Sequence, residues 1–102
     1  MSETYQNIDE KELVSREYEL VNSKGLHARA AALFVLATQN YDCITVSKLN
    51  SDGTYEGPVR GHSVMELLML AAPKGSKIVV DAPEEAHSQL EKVIREDFFK
   101  VD

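Results

Sequence analysis

The stretch KGLHARAAA, Lys24 to Ala32, stands where a strand-like run gives way to a helix-like one. Upstream, Arg16 to Asn22 alternates polar residues with Tyr18 and Leu20, the period-two pattern of a strand with one covered face. Asn22-Ser23-Lys24-Gly25 has turn chemistry. Downstream, Ala28 to about Asn40 is rich in Ala and Leu, and Ala28, Ala31, Ala32, Val35 and Thr38 recur at helical spacing. His27 therefore falls at or beside a helix N-cap. The first N–H groups of a helix lack internal acceptors, and the dipole leaves partial positive charge there, so an anion is welcome. A neutral imidazole in that place can act as a nucleophile. If it took a phosphoryl group, the backbone N–H groups of Ala28, Arg29 and Ala30 would meet the oxygens. Arg29 adds a planar fork suited to phosphate. On spacing alone, a capping histidine and a solvated arginine are the better account of the same residues, since His-x-Arg is a short pattern that recurs by chance.

Working outward, Cys43 to Lys48 (CITVSK) is β-branched and reads as a strand. Asn50-Ser51-Asp52-Gly53 is a hairpin signal. Thr54 to Arg60 returns as a strand weakened by Gly57 and Pro58, which places it at a sheet edge or makes it bulged. Ser63 precedes a short helix, Val64 to Ala72, stopped at Pro73-Lys74-Gly75. Ser76 to Asp81 is a further strand. Pro83 to Phe99 is a final helix, with two glutamates in its first turn and a stripe of Ala86, Leu90, Val93, Ile94 and Phe98. The order β-α-β-β-α-β-α lacks the repeat of a doubly wound sheet. It predicts an α+β domain in which one small sheet carries helices on one face. Residues 1–15 are acidic and weakly patterned and read as a flexible extension, leaving 16–102 as a single domain.

The chain has 102 residues, enough for one modest core. A net charge of −6 argues against nucleic acid as the partner, because phosphate backbones are held by clustered Lys and Arg. Apolar runs are far shorter than a bilayer span, so no membrane insertion is expected. The single cysteine, Cys43, has no internal partner and fits a reducing cytoplasm. It is expected as a small buried or half-buried side chain. His27, His62 and His87 lie on separate elements without ligand spacing, so neither metal nor cofactor is expected. His62 reads as a solvated turn residue and His87 as a surface residue.

Gly25-Leu26-His27-Ala28-Arg29-Ala30-Ala31, followed by an Ala-rich helix, a strand pair and a serine opening a Met/Leu helix, resembles HPr, the histidine-containing phosphocarrier family of the bacterial sugar phosphotransferase system. The resemblance spans about Arg16 to Phe99. That family's motif is Gly-Leu-His-x-Arg-Pro-Ala, matched here at Gly25, Leu26, His27, Arg29 and Ala31, with Ala30 in place of proline. The resemblance implies an open-faced β-sandwich, a four-stranded antiparallel sheet covered on one face by three helices. It implies that His27, through its pros nitrogen Nδ1, accepts a phosphoryl group from phosphorylated enzyme I and passes it to a sugar-specific enzyme IIA. Arg29 then balances phosphate charge. Ser63 falls where many Gram-positive members are phosphorylated by a dedicated serine kinase, and a structural N-cap accounts for a serine there equally well. Val64, Met65 and Leu68, with Leu33 and Leu36 on the first helix, fall on the partner-docking surface. Of the pairs Val64/Leu68 and Met65/Met69, one is expected to pack inward and the other to face out.

A monomeric carrier, rather than an enzyme with its own turnover, is the expectation, since paired acids and bases and a Gly-rich nucleotide loop are missing from the sequence. Two other readings fit the residues. One is a regulatory protein switched by phosphorylation at Ser63 or His27 without sugar transport. The other is a plain protein-binding α/β module.

Overall fold

A computed structural model describes residues 12–102 of the chain. Seven main elements appear in the expected order: β1 (Leu13–Glu19), α1 (Ala28–Thr38), β2 (Thr45–Leu49), β3 (Tyr55–Arg60), α2 (Val64–Met69), β4 (Lys77–Pro83) and α3 (Glu84–Lys92). A π-helical turn (Val93–Asp97) continues α3 into a short α4 (Phe98–Lys100). The four strands form one antiparallel sheet in the order β1-β4-β2-β3.

Alternation gives this sheet one covered face. Tyr18, Val46, Ile78, Val80 and Ala82 are buried, whereas Glu17, Glu19 and Lys77 stay exposed. Phe34 from α1, Leu67 from α2, and Leu90, Ile94 and Phe98 from the final helical stretch complete the core. Truncating a fully buried residue such as Phe34 to alanine would cost about 3–5 kcal/mol. The architecture is thus the open-faced α+β sandwich. β3 lies at the sheet edge, and its Gly57-Pro58 stands opposite Ser47 alone, so the strand is both edge and bulged. The hairpin turns at Asn50–Gly53, where Gly53 has φ +89° and the Asn50 N–H donates to the Thr54 carbonyl at 2.8 Å.

Several expectations need correction. The acidic segment 1–11, most of the expected extension, lies outside the described residues. Leu13–Ser15, also assigned to it, instead pair with Asp81–Pro83 and begin β1. The ladder there is reinforced by a hydrogen bond from the Ser15 hydroxyl to the Asp81 carboxylate. The α1 stripe is rotated from its expected place. Ala30, Ala31, Phe34 and Thr38 are buried, while Ala28 and Ala32 are exposed and Val35 is half-buried. The large Phe34 sets the rotation, because it removes far more apolar surface from water than an alanine does. Thr38 is tolerated inside because its hydroxyl donates to the Gly61 carbonyl at 2.8 Å.

His87 is not on the surface but fully buried. Its Nε2 lies 2.6 Å from the Val14 carbonyl and its Nδ1 2.7 Å from the Tyr18 hydroxyl. A carbonyl can only accept, so Nε2 carries the proton and the tyrosine donates to Nδ1. Burial pushes the Tyr18 hydroxyl up from its ordinary pKa, which keeps that donor protonated. The histidine thus ties α3 to β1. Cys43 is exposed in the loop before β2 rather than buried. In the last stretch, Ala86, Leu90, Ile94 and Phe98 recur at intervals of four, a spacing that drifts around a regular α-helix. The wider π turn, closed by the Phe98 N–H on the Val93 carbonyl, keeps that row facing the sheet.

Candidate functional site

The site is built on the β1–α1 connection and the first turn of α1. Gly25 has φ +60°, and a Cβ there would lie 2.4 Å from the Ala72 carbonyl oxygen and 2.6 Å from the Pro73 carbonyl carbon. The adjacent Leu26 N–H donates to that same Ala72 oxygen at 2.9 Å. Glycine is therefore required so that the connection can lie directly on the backbone following α2. Leu26 is buried and anchors the segment in the core, which leaves His27 as the residue at which the chain turns into α1.

His27 is the N-cap, with extended backbone (φ −83°, ψ −179°), and its carbonyl accepts from the Ala31 N–H at 2.8 Å. Its side chain makes no capping hydrogen bond. Instead Nε2 lies 3.1 Å from Oδ1 of Asp102. The ring is only 18% exposed, so it is less open than its small neighbours suggested. Asp102 is held in turn by the Asn22 amide at 3.0 Å and by the Ser23 backbone N–H and hydroxyl at 2.8 and 3.1 Å. Asn22 is itself buried and also donates to the Gly25 carbonyl at 2.9 Å. These donors, Asn22 foremost and then Ser23 and His27, hold the Asp102 carboxyl below the usual aspartate range. A carboxylate can only accept, so a hydrogen bond at this distance requires a proton on Nε2.

The first-turn N–H groups of Ala28, Arg29 and Ala30 have no hydrogen-bond acceptor among the described residues. Ala28 and Arg29 are exposed, whereas Ala30 is fully buried and serves the core. The N-terminal turn of α1 contains no acidic residue, which would otherwise occupy the anion position.

Ser63 caps α2, accepting from the Glu66 N–H at 3.2 Å. Glu66 reaches back to the Arg60 N–H at 2.9 Å and its Nε at 2.8 Å, and those contacts, led by the arginine side chain, lower the Glu66 pKa. On α2, Met65 and Met69 face out, 78% and 75% exposed, while Val64 is half-buried against the core. Leu68 is exposed as well, so the methionine pair faces out but Val64 and Leu68 are not an inward pair; Leu67 and Leu70 are the residues of this stretch that enter the core. Leu33 packs on the core and Leu36 is exposed; both line a 360 Å³ groove shared with Gln89, Lys92, Val93 and Asp97 of the final helical stretch. Of the five expected docking residues, Met65, Leu68 and Leu36 are exposed, and Val64 and Leu33 are half-buried. A cleft of 810 Å³ is bordered by Lys48, Pro73, Lys74 and Lys77 and does not include His27. Among the described residues no helix is long and apolar enough to cross a membrane, and no group of His, Cys, Asp and Glu could hold a metal ion.

Asp102 was not legible in the sequence, because the residue lies 75 positions from the histidine it meets.

The sequence profile for the PTS HPr component phosphorylation site matches residues 14–96. The chain is 40% identical over 62 residues to the phosphocarrier protein HPr of Pseudomonas aeruginosa, covering 61% of this chain and 64% of that protein. It thus spans slightly less than two thirds of that relative's length. It is 35% identical over 77 residues to the phosphocarrier protein NPr of Klebsiella oxytoca, covering 74% of this chain and 81% of that one. Among solved structures, HPr-C-His from Thermoanaerobacter tengcongensis superposes with a TM-score of 0.66 at 28% identity, covering 83% of this chain and 94% of that one.

Proposed function

Since this chain belongs to the HPr family of phosphotransferase-system phosphocarriers, we propose that His27 accepts a phosphoryl group from phosphorylated enzyme I and hands it to an enzyme IIA-type acceptor in the cytoplasm. The observation that carries this reading is the histidine at the mouth of α1 that does not cap it. The Nδ1 lone pair attacks phosphorus, the donor's bond to phosphorus breaks, and its electron pair returns to the donor. The new phosphate then meets the unpaired N–H groups of the first turn. Of the three expected, Ala28 and Arg29 are the exposed ones, and Ala30 supplies the third only if the turn adjusts. Arg29, exposed one residue into the helix, balances the charge. A carrier must be released by one partner and received by another, so both transfers have to lie near equal free energy. Chemistry at an open helix end, rather than in a deep cavity, suits that exchange. The protein is then a carrier whose transfers are catalysed together with its partners.

Met65, Leu68 and Leu36 supply exposed apolar surface for docking, and flexible methionine suits more than one partner. Val64 and Leu33 act from below by holding that surface in shape. A serine kinase acting on Ser63 belongs to the same reading. A phosphate there would exchange a helix cap for about two negative charges beside Met65.

The test is incubation with phosphoenolpyruvate and enzyme I. The expected result is one acid-labile phosphate that His27→Ala loses. A wild-type protein that takes no label from any enzyme I tried overturns the reading.

A further inference from the structure

We propose that Asp102 is a positioning residue for phosphoryl transfer, holding the proton of His27 on Nε2 so that Nδ1 is the nucleophile. The inference rests on the phosphocarrier reading and deepens it. A carboxylate 3.1 Å from Nε2 accepts the Nε2–H and cannot itself donate while ionised. The opposite tautomer would set a nitrogen lone pair against a carboxylate oxygen, which is repulsive. The ring is also fixed in rotation, because the carboxylate is only 13% exposed and does not swing freely. Oδ1 is shared between His27 and the Asn22 amide, and Oδ2 accepts twice from Ser23. The loop that delivers His27 to the helix thus also holds, through Asn22 and Ser23, the carboxylate that orients it.

The carboxylate has a second effect during transfer. When the Nδ1 lone pair forms the N–P bond, the ring gains positive charge while Nε2 keeps its proton. The bond from phosphorus to the donor breaks, and its electron pair leaves with the donor. Asp102 faces the developing cation across the Nε2–H. When the phosphoryl group moves on, the N–P pair returns to Nδ1 and the ring is neutral again. No net proton moves at any stage. The role is indirect, since Asp102 touches the imidazole and not the phosphate.

The direct measurement needs no variant. In a nitrogen-edited NMR spectrum of the imidazole, the wild-type protein should show an N–H at Nε2, protected from exchange with water, and an unprotonated Nδ1. Phosphoramidate is the chemical probe, its P–N bond breaking as ammonia leaves. It should label wild-type His27 at Nδ1 alone. Asp102→Ala and Asp102→Asn should lose the protected Nε2–H, accept phosphate about 10–100-fold more slowly, and give a mixture of Nδ1 and Nε2 products. A wild-type proton on Nδ1, or labelling at Nε2, overturns the inference. So does a folded Asp102 variant with wild-type rate and product. A wild-type protein that phosphoramidate labels at Nδ1 but that no enzyme I labels leaves Asp102 in its role and overturns the carrier reading instead. If the variants unfold, the wild-type spectrum and wild-type product decide alone.

Discussion

The first turns of α1 and α2 are the same structural problem solved in two ways. Each begins at an extended residue, His27 in one and Ser63 in the other, and each leaves the same spare N–H groups. Ser63 turns its hydroxyl inward and satisfies the Glu66 N–H. His27 turns away and engages Asp102, leaving its helix unsatisfied. A capping side chain that serves its helix is a stability device. One that turns away from the helix leaves the first-turn N–H groups without an acceptor among the described residues. The two ends also differ in their carboxylates. Glu66 sits in the first turn of α2, where it complements the dipole, whereas α1 has no acid there. The negative charge near His27 is kept to the far side of the ring, on Asp102.

The largest effect should come from the connection that presents His27. Gly25→Ala would force Cβ onto the backbone of Ala72 and Pro73 at a positive φ, and neither carbonyl group can yield as a flexible side chain would. A loss of about 3 kcal/mol or more in urea unfolding is expected. A cost under about 1 kcal/mol would show that the close approach does not fix the site.

The caps themselves should separate next. Ser63→Ala should cost about 1 kcal/mol, the usual worth of a serine cap. His27→Ala should cost less stability than Ser63→Ala, yet remove all acid-labile phosphate. Paired denaturant curves and labelling reactions check both, and equal destabilisation would erase the distinction between the two helix ends.

A smaller effect is expected from restoring the family's proline. At position 30 the N–H belongs to the unpaired first turn, so proline removes no intrahelical bond. Ala30→Pro should change stability by less than about 1 kcal/mol and leave His27 labelling in place. Loss of labelling would show that the Ala30 N–H, or the fit of this buried side chain, is needed.

Acid gives the finest comparison. Asp102 is held down chiefly by Asn22 and Glu66 chiefly by Arg60, so both carboxylates have folded pKa values below their unfolded ones. Their contribution to stability is complete above the ordinary carboxylate range near about 4 and is lost as pH falls through the lowered folded values. Thermal melts should therefore decline with falling pH in that acid window, and Asp102→Asn and Glu66→Gln should each flatten part of the decline. An unchanged slope in both variants would mean that neither contact shifts its carboxylate.

Much of this was legible in particular residues. Gly25-Leu26-His27 with Arg29 identified the family, and Asp52-Gly53, Ser63 and Pro83 placed a hairpin and the starts of two helices. Local patterns carry such information because caps and turns are satisfied by neighbours in the chain. The errors fell where distant partners decide. His87 looks like a surface residue until Tyr18 and Val14 satisfy both ring nitrogens in the core. Leu13–Ser15 look like part of an acidic tail until β4 pairs with them. The α1 stripe was misplaced because its alanines outnumber the one phenylalanine that sets its rotation.

The sequence by itself determined the order of elements, the covered sheet face and the histidine at the helix mouth. These follow from hydrophobic period and turn chemistry, which act over a few residues. Only the tertiary structure decided what that histidine faces. Asp102 reaches His27 because the end of the final helical stretch returns to the β1–α1 loop, where Asn22 and Ser23 receive its carboxylate. A hydrogen bond between residues so far apart in the chain is set by packing, and no local pattern announces it.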